Sequence, residues 1–280
     1  MAKKKVQFLS TIPHLSEGEF EALRELIYKK SGIVLNEGKR DLIQSRLGKI
    51  LRQQGIPSFK EYYHLVVNDY TGRELAQLLD VISTNVTHFF RENEHFNFLK
   101  SVVIPACDAK KSIKIWSAGC SSGEEPYCIA ITLLETIKNI ESWEIKVLAT
   151  DISTRVLRKA TIGAYQKSEL AVLSKSLLHK YFQRGTSEWC DYYQIRPDVK
   201  KLIDFKRSNL LEPFMFKTKF NVIFCRNVMI YFDKTTREIL INRFYKHLVS
   251  GGYLFVGHAE SLIDLKHNFK YVKPAIYQKV

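Results

Sequence analysis

Beyond about residue 110, short β-rich runs alternate with amphipathic helical stretches. Ile113–Trp116, Ile145–Leu148, Val222–Phe224 and Tyr253–Val256 are the β-rich runs; Glu125–Lys138 and Thr235–Leu248 are examples of the helical stretches. Strands joined through helices pair in parallel, and a parallel sheet must be covered on both faces. The alternation therefore predicts an α/β domain over residues 111–280. The segment Tyr181–Leu211 breaks the rhythm. Its runs Tyr192–Ile195 and Leu202–Phe205, separated by Arg196-Pro197-Asp198, predict a small antiparallel β insertion at about 181–206.

The first 85 residues carry no strand signal. Ser16 and Glu19 are placed to form a capping box ahead of Phe20, Leu23 and Ile27, and Ser31-Gly32 stops the pattern. Leu42, Leu47, Ile50 and Leu51 predict a second helix ending near Gly55-Ile56-Pro57. Phe59, Tyr62, Tyr63 and Val66 predict a third, and Leu75, Leu78, Leu79 and Ile82 a fourth. Residues 1–85 thus read as a small helical domain, with 86–110 leading into the α/β part. On the second helix Lys39, Arg46, Lys49 and Arg52, with Arg40 beside them, fall roughly opposite Leu47, Ile50 and Leu51. Such a basic face is either simply solvated or a docking surface.

Lys plus Arg number 43 against 29 Asp plus Glu, a net charge of +14, which favours a negative partner: nucleic acid, anionic lipid or an acidic protein surface. No apolar run approaches the roughly 20 residues of a membrane span. The Lys3-Lys4-Lys5 run is followed only by Val6-Gln7-Phe8-Leu9, too short for a signal peptide. Five scattered cysteines, Cys107, Cys120, Cys128, Cys190 and Cys225, form no CxxC pair. They predict reduced thiols, a cytoplasmic setting and no metal.

The chemistry concentrates after the first strand. Ser117-Ala118-Gly119-Cys120-Ser121-Ser122-Gly123-Glu124-Glu125-Pro126 is a glycine-bearing turn into a helix, where a ligand can approach the backbone closely. Its G-x-x-x-G spacing differs from the dinucleotide G-x-G-x-x-G, and Glu124 and Glu125 stand where a pyrophosphate would need bare helix N–H groups. This argues against NAD and for a cationic ligand group. The next strand ends at Asp151, suited either to accept from a ribose diol or to cap the following helix, a job Ser153 can also do. A diol-binding acid plus carboxylates facing an amino group matches S-adenosylmethionine.

Five longer motifs add to this. They are Ser83-Thr84-Asn85-Val86-Thr87-His88-Phe89-Phe90-Arg91-Glu92, the glycine turn through Tyr127, Ala149-Thr150-Asp151-Ile152-Ser153, Phe224-Cys225-Arg226-Asn227-Val228-Met229-Ile230-Tyr231-Phe232, and Gly252-Tyr253-Leu254-Phe255-Val256-Gly257-His258-Ala259-Glu260-Ser261. In this order, over about residues 10 to 278, they resemble the CheR family of chemotaxis protein-glutamate O-methyltransferases. The resemblance implies an N-terminal helical domain near the receptor and a Rossmann-like, S-adenosylmethionine-dependent α/β domain with a β insertion. Residues 86–110 would contribute to the active site.

Carried onto this chain, the resemblance places Asn85, Thr87 and Arg91 near cofactor and substrate carboxylate. It places Glu124, with Glu125, at the cofactor amino group beside Gly119, and Asp151 at the ribose. Ser208-Asn209-Leu210 would lie beside the adenine, and Arg226, Asn227 and Tyr231 on the wall facing the reaction. Arg91 and Tyr231 are the implied catalytic residues; without the resemblance, Arg91 reads as a surface ion pair with Glu92 or Glu94 and Tyr231 as a core aromatic. His88 and His258 read as structural, because this chemistry moves no proton. The implied partners are receptor cytoplasmic domains, with no nucleic acid, no membrane insertion and a monomeric enzyme; the implied product is S-adenosylhomocysteine. The competing readings are an RNA methyltransferase and a non-catalytic adaptor that senses the cofactor. One departure stands out: members that tether a receptor's C-terminal pentapeptide have a glycine-rich turn in the insertion, whereas Arg184–Asp191 here holds only Gly185.

Overall fold

The computed structural model describes residues 13–83 and 86–280; Lys3–Lys5 and Asn85 lie outside the described residues. The chain divides into two compact units, Met1–Thr84 with Tyr231–Asp233, and Asn85–Ile230 with Lys234–Val280.

In the helical unit, α1 (Glu17–Ser31) starts at the expected capping box, with the Ser16 N–H donating to Glu19 at 3.0 Å, and ends at a left-handed Gly32. Helix α2 (Arg40–Gln54) buries Ile43, Leu47, Ile50 and Leu51. Leu42, expected inside, is 40% exposed, because the inward stripe runs through its neighbour Ile43. Helices α3 (Phe59–Asn68) and α4 (Arg73–Ile82) bury Phe59, Tyr62, Val66, Leu78, Leu79 and Ile82 against them. The basic side of α2 is not one solvated surface. Arg46 Nη1 donates to the Val81 carbonyl at 3.0 Å, closing the end of α4, and Arg40 Nη2 donates to the Leu15 carbonyl at 2.9 Å. Lys49 and Arg52 remain exposed. The Tyr231 carbonyl accepts the Val34 N–H at 2.8 Å, and Lys39 Nζ lies 5.3 Å from the Tyr231 ring centroid.

The α/β unit opens with α5 (Glu94–Phe98), which passes through a π-helical turn at Leu99–Val103 into α6 (Ile104–Cys107). Then follow β1 (Ser112–Ala118), α7 (Glu124–Thr136), β2 (Glu144–Asp151), α8 (Thr154–Ile162), β3 (Ala164–Gln166), α9 (Lys175–Tyr181), β4 (Phe182–Arg184) and β5 (Tyr192–Ile195). The chain continues with α10 (Pro197–Lys200), β6 (Ile203–Arg207), β7 (Phe220–Cys225), α11 (Lys234–His247), β8 (Leu248–Val256), β9 (Phe269–Lys273) and β10 (Ile276–Lys279). The main sheet has seven strands in the order β6-β2-β1-β7-β8-β10-β9. Five run parallel; β10 and β9 form an antiparallel C-terminal hairpin that the expected parallel sheet did not include. The insertion is a three-stranded antiparallel sheet, β3-β5-β4, and so starts near residue 164 rather than 181. The run Leu202–Phe205 is not part of it: β6 pairs in parallel with β2, from Val147 opposite Ile203 to Asp151 opposite Arg207.

Trp116 of β1 is fully buried, its Nε1 donating to Thr150 Oγ1 at 2.9 Å, with Phe214, Phe216, Phe220 and Phe244 around it. No disulfide forms among the described cysteines. Cys107, Cys120, Cys128 and Cys225 are buried, which pushes their thiol pKa values up, while Cys190 is exposed. No helix of the described residues is long and apolar enough to cross a membrane.

The Arg46 brace yields a stability test. Arg46→Glu removes a charge-assisted bond to the end of α4 and sets a carboxylate against its carbonyls, a loss of about 2 kcal/mol. Lys49→Glu and Arg52→Glu should stay within roughly 0.5 kcal/mol of wild type. Thermal unfolding followed by circular dichroism measures the difference; equal melting temperatures for all three variants would contradict the assignment.

Candidate cofactor and substrate site

The carboxyl ends of β1, β2, β6, β7 and β8 carry the residues that the motifs singled out. At the end of β1 the Gly119 and Cys120 N–H groups both donate to the Thr150 carbonyl, at 2.8 and 2.9 Å, so the turn is tied to the tip of β2. Gly119 has φ of 91°, and a Cβ there would collide with Val228 Cγ2. Gly123 has φ of 99°, and its Cβ would stand 2.9 Å from the Ala160 Cβ. No other residue type fits either position without strain. Between them Ser121, itself left-handed at φ 49°, donates its N–H to Asp151 Oδ2 at 2.8 Å.

Asp151 is 8% exposed, and its Oδ1 accepts the Ser153 N–H at 2.9 Å. Two backbone donors thus fix its carboxylate plane at the strand tip. Ser153 performs the capping that Asp151 was also suited for: it is the N-cap of α8, its hydroxyl accepting from the Val156 N–H at 3.3 Å. Beyond the neighbouring tip, the Ser208 N–H donates to the Asp151 carbonyl at 3.0 Å, bringing Asn209 and the buried Leu210 to the same end of the sheet. Asn209 Oδ1 accepts the Leu211 N–H at 3.1 Å.

The adjacent carboxylates of α7 have different surroundings. Glu125 accepts from Ser117 Oγ at 2.6 Å and from Arg226 Nη1 at 2.9 Å. Glu124 is 3% exposed and accepts from Ser122 Oγ at 2.8 and 2.9 Å, with no cation within ion-pair distance among the described residues. Burial pushes both acids up. Neither the Arg226 charge beside Glu125 nor the Ser122 hydroxyl on Glu124 reverses that direction. A buried carboxylate without a cation is poised for a cationic ligand group, so the residues fit the amino end of S-adenosylmethionine.

Arg226, expected on the pocket wall, acts as a brace. Its side chain is 2% exposed. Besides Glu125, it donates to Glu92 Oε2 through Nε and Nη2, at 3.3 and 3.1 Å, and to the Arg91 carbonyl. Burial raises the Glu92 pKa, but the Arg226 charge and the His258 N–H outweigh it and hold Glu92 below the usual carboxylate range. Arg91 therefore does not pair with Glu92. Its Nη1 donates to the Val86 carbonyl at 2.9 Å, and the half-buried Thr87 lies in the same segment. Asn227 has φ of 58°, and its N–H donates to Glu260 Oε2 at 2.8 Å. Tyr231 belongs with the helical unit.

Glu92, His95 and His258 present ligand atoms within 4.8 Å of one another. The Arg226 guanidinium already occupies Glu92 Oε2, and that positive charge opposes a metal ion there. The site residues that sequence reasoning passed over are Glu92, Ser117, Ser122 and Glu260. All four lie inside the sequence motifs, and what they hold shows only in three dimensions.

A buried carboxylate with no cation in contact and a second acid at the next strand tip, at the carboxyl ends of parallel strands, are what an S-adenosylmethionine-dependent methyltransferase needs. Two family models match the chain: CheR methyltransferase, SAM binding domain, over residues 85–277, and CheR methyltransferase, all-alpha domain, over residues 18–83. The chain belongs to the CheR methyltransferase family. It is 42% identical over 274 residues to a chemotaxis protein methyltransferase of Borreliella burgdorferi, covering 95% of each chain. It is 39% identical over 264 residues to that of Salmonella typhimurium, covering 94% of this chain and 90% of the relative. The corresponding Escherichia coli protein is 38% identical over 265 residues, covering 94% of this chain and 91% of the relative.

Removing the brace should be costly. Arg226→Met leaves Glu92 and Glu125 without their cation and should cost about 3–5 kcal/mol of unfolding free energy. Arg226→Lys should recover only part, since an ammonium lacks the fork that spans two carboxylates. Urea unfolding measures both; a loss under roughly 1 kcal/mol for the methionine variant would refute the brace.

Proposed function

We propose that the protein transfers the methyl group of S-adenosylmethionine to glutamate side chains on the cytoplasmic domains of chemotaxis receptors, forming glutamate methyl esters. The observation that carries this reading is Glu124, a buried carboxylate in the first turn of α7 with no cation within ion-pair distance among the described residues, Lys159 acting on it only from farther off. Asp151 takes the ribose hydroxyls, Asn209 and Leu210 flank the adenine, and Thr87 approaches from the segment that carries Arg91. Gly119 lets Val228 pack against the turn, while Glu125 and Arg226 act by holding the loops and Asn227 by shaping one of them.

When bound, S-adenosylmethionine supplies a methyl group made electrophilic by its sulfonium. A substrate glutamate, with an ordinary pKa of about 4.3, is ionised at neutral pH, so the site needs no general base. With the cofactor held by Glu124 and Asp151, the carboxylate oxygen would take the methyl group as the carbon–sulfur electron pair stayed on sulfur, giving the methyl ester and S-adenosylhomocysteine. The enzyme's task is then alignment and exclusion of water. Arg91 orients the carboxylate by holding one oxygen and leaving the other to attack. Full bidentate pairing would lower nucleophilicity. Lys49 and Arg52, exposed on α2, are the cations available to meet an acidic receptor helix.

Incubation with methyl-labelled S-adenosylmethionine and either a receptor cytoplasmic fragment, RNA or buffer tests the substrate. Alkali-labile label on the receptor fragment is expected; label on RNA alone would overturn the proposal. Arg91→Ala should lower turnover at least about a hundredfold, near 3 kcal/mol, at an unchanged melting temperature. Near-normal turnover would remove Arg91 from the reaction.

A further inference from the structure

Tyr165 lies on β3, in the inserted sheet, yet its side chain ends at the glycine turn. It is fully buried, and its hydroxyl donates to the Ser122 carbonyl at 2.7 Å. Ser122 is also the residue whose own hydroxyl holds Glu124. The phenol oxygen stands 3.0 Å from where a Gly123 Cβ would be, so it fills the space that glycine leaves open. The other contacts hold the ring rigidly. Phe89 meets it edge-on with centroids 5.0 Å apart, Tyr127 meets it at 6.2 Å, and Lys159 Nζ lies 5.4 Å from its centroid. The Tyr127 hydroxyl in turn donates to the Ala160 carbonyl at 2.6 Å, fixing the residue on the other side of Gly123.

We propose that Tyr165 is a positioning residue for S-adenosylmethionine: its hydroxyl sets the orientation of the Ser122 peptide and, through Ser122, the aim of the Glu124 carboxylate. The proposal rests on the reading that Glu124 receives the cofactor amino group. Three features support it. The hydrogen bond is buried, so no water replaces it on removal. Burial pushes the phenol pKa well up, so the group remains a donor at any working pH. Ser122 links the two bonds within one residue, so a rotation that relaxes one disturbs the other. Phe89, packed on the same ring, lies two residues before Arg91, so the ring is also a support for the segment carrying the substrate-orienting arginine.

Tyr165→Phe tests this with the ring and its packing retained. Calorimetry with S-adenosylhomocysteine should show a dissociation constant raised about five- to tenfold. The KM for S-adenosylmethionine should rise in step, with turnover at saturating cofactor within about twofold of wild type and the KM for receptor unchanged. A merely structural tyrosine would lower the melting temperature without this split between KM and kcat. Asp151→Ala and Glu124→Gln serve as references. If both weaken binding at least about tenfold while Tyr165→Phe stays within about twofold of wild type, the Tyr165 proposal is overturned and the cofactor assignment stands. If neither reference variant weakens binding, the cofactor assignment itself fails, and the Tyr165 proposal with it.

Discussion

The Arg226 guanidinium joins three stretches of chain that the sequence keeps far apart: the segment through Arg91 and Glu92, the first turn of α7 at Glu125, and the end of β7. Two carboxylates around one guanidinium leave a single negative charge in excess. The interior of the site is therefore electronegative in a protein whose net charge is +14. The two fields act at different ranges. The outer cations attract an acidic macromolecule over distances comparable to the screening length, about 10 Å at moderate salt. The buried acids act only at contact, on a small cation that has entered the crevice. One composition serves both ligands because charge of one sign is buried and charge of the other is displayed.

Among the described residues seven non-glycine residues have positive φ; Lys111, Ser187 and Ala275 lie elsewhere, but Phe90, Glu92, Ser121 and Asn227 lie in the segments that carry the site residues, as do Gly119 and Gly123. Such conformations cost on the order of 1 kcal/mol each and persist where neighbours overdetermine them. The neighbours are visible. Asp151 holds Ser121, Arg226 holds Glu92, and Glu260 holds Asn227 while also accepting the Gly257 N–H at 2.6 Å and the Ile230 N–H at 3.1 Å. Three of these four positions are thus tied to a buried acid or its partner, and the Phe90 N–H donates to Cys128 Sγ.

How much of this was legible in the sequence depended on whether the signal was local. The Ser16 capping box, the four helices and the strands β1, β2, β7 and β8 follow from periodicity and caps within a few residues. The three-residue strands β3 and β4 are too short to alternate. The run Leu202–Phe205 showed that a strand was present but not what it pairs with, since partner choice is a long-range property; β6 joins β2 across more than fifty residues. The hairpin of β9 and β10 passed unread for a similar reason, as the exposed lysines that blunt its edge weaken the apolar pattern. The turn at Gly119, the acids of α7 and Asp151 at the tip of β2 lie at the strand ends where type and spacing put them. The separation of Glu124 from Glu125 was not legible, because adjacent acids look alike until Arg226 is placed beside one of them.

The distribution of the thiols has a consequence for how the protein would meet electrophiles and oxidants. Attack requires an accessible thiolate, and four of the five sulfurs are both enclosed and held protonated by their surroundings. Cys120 is among them, buried in the middle of the glycine turn. Only Cys190 is exposed, in the turn between β4 and β5. Alkylation or sulfenic acid formation would fall first on the inserted sheet and spare the crevice, so a spectroscopic label could be carried at Cys190 with the wild-type sequence intact.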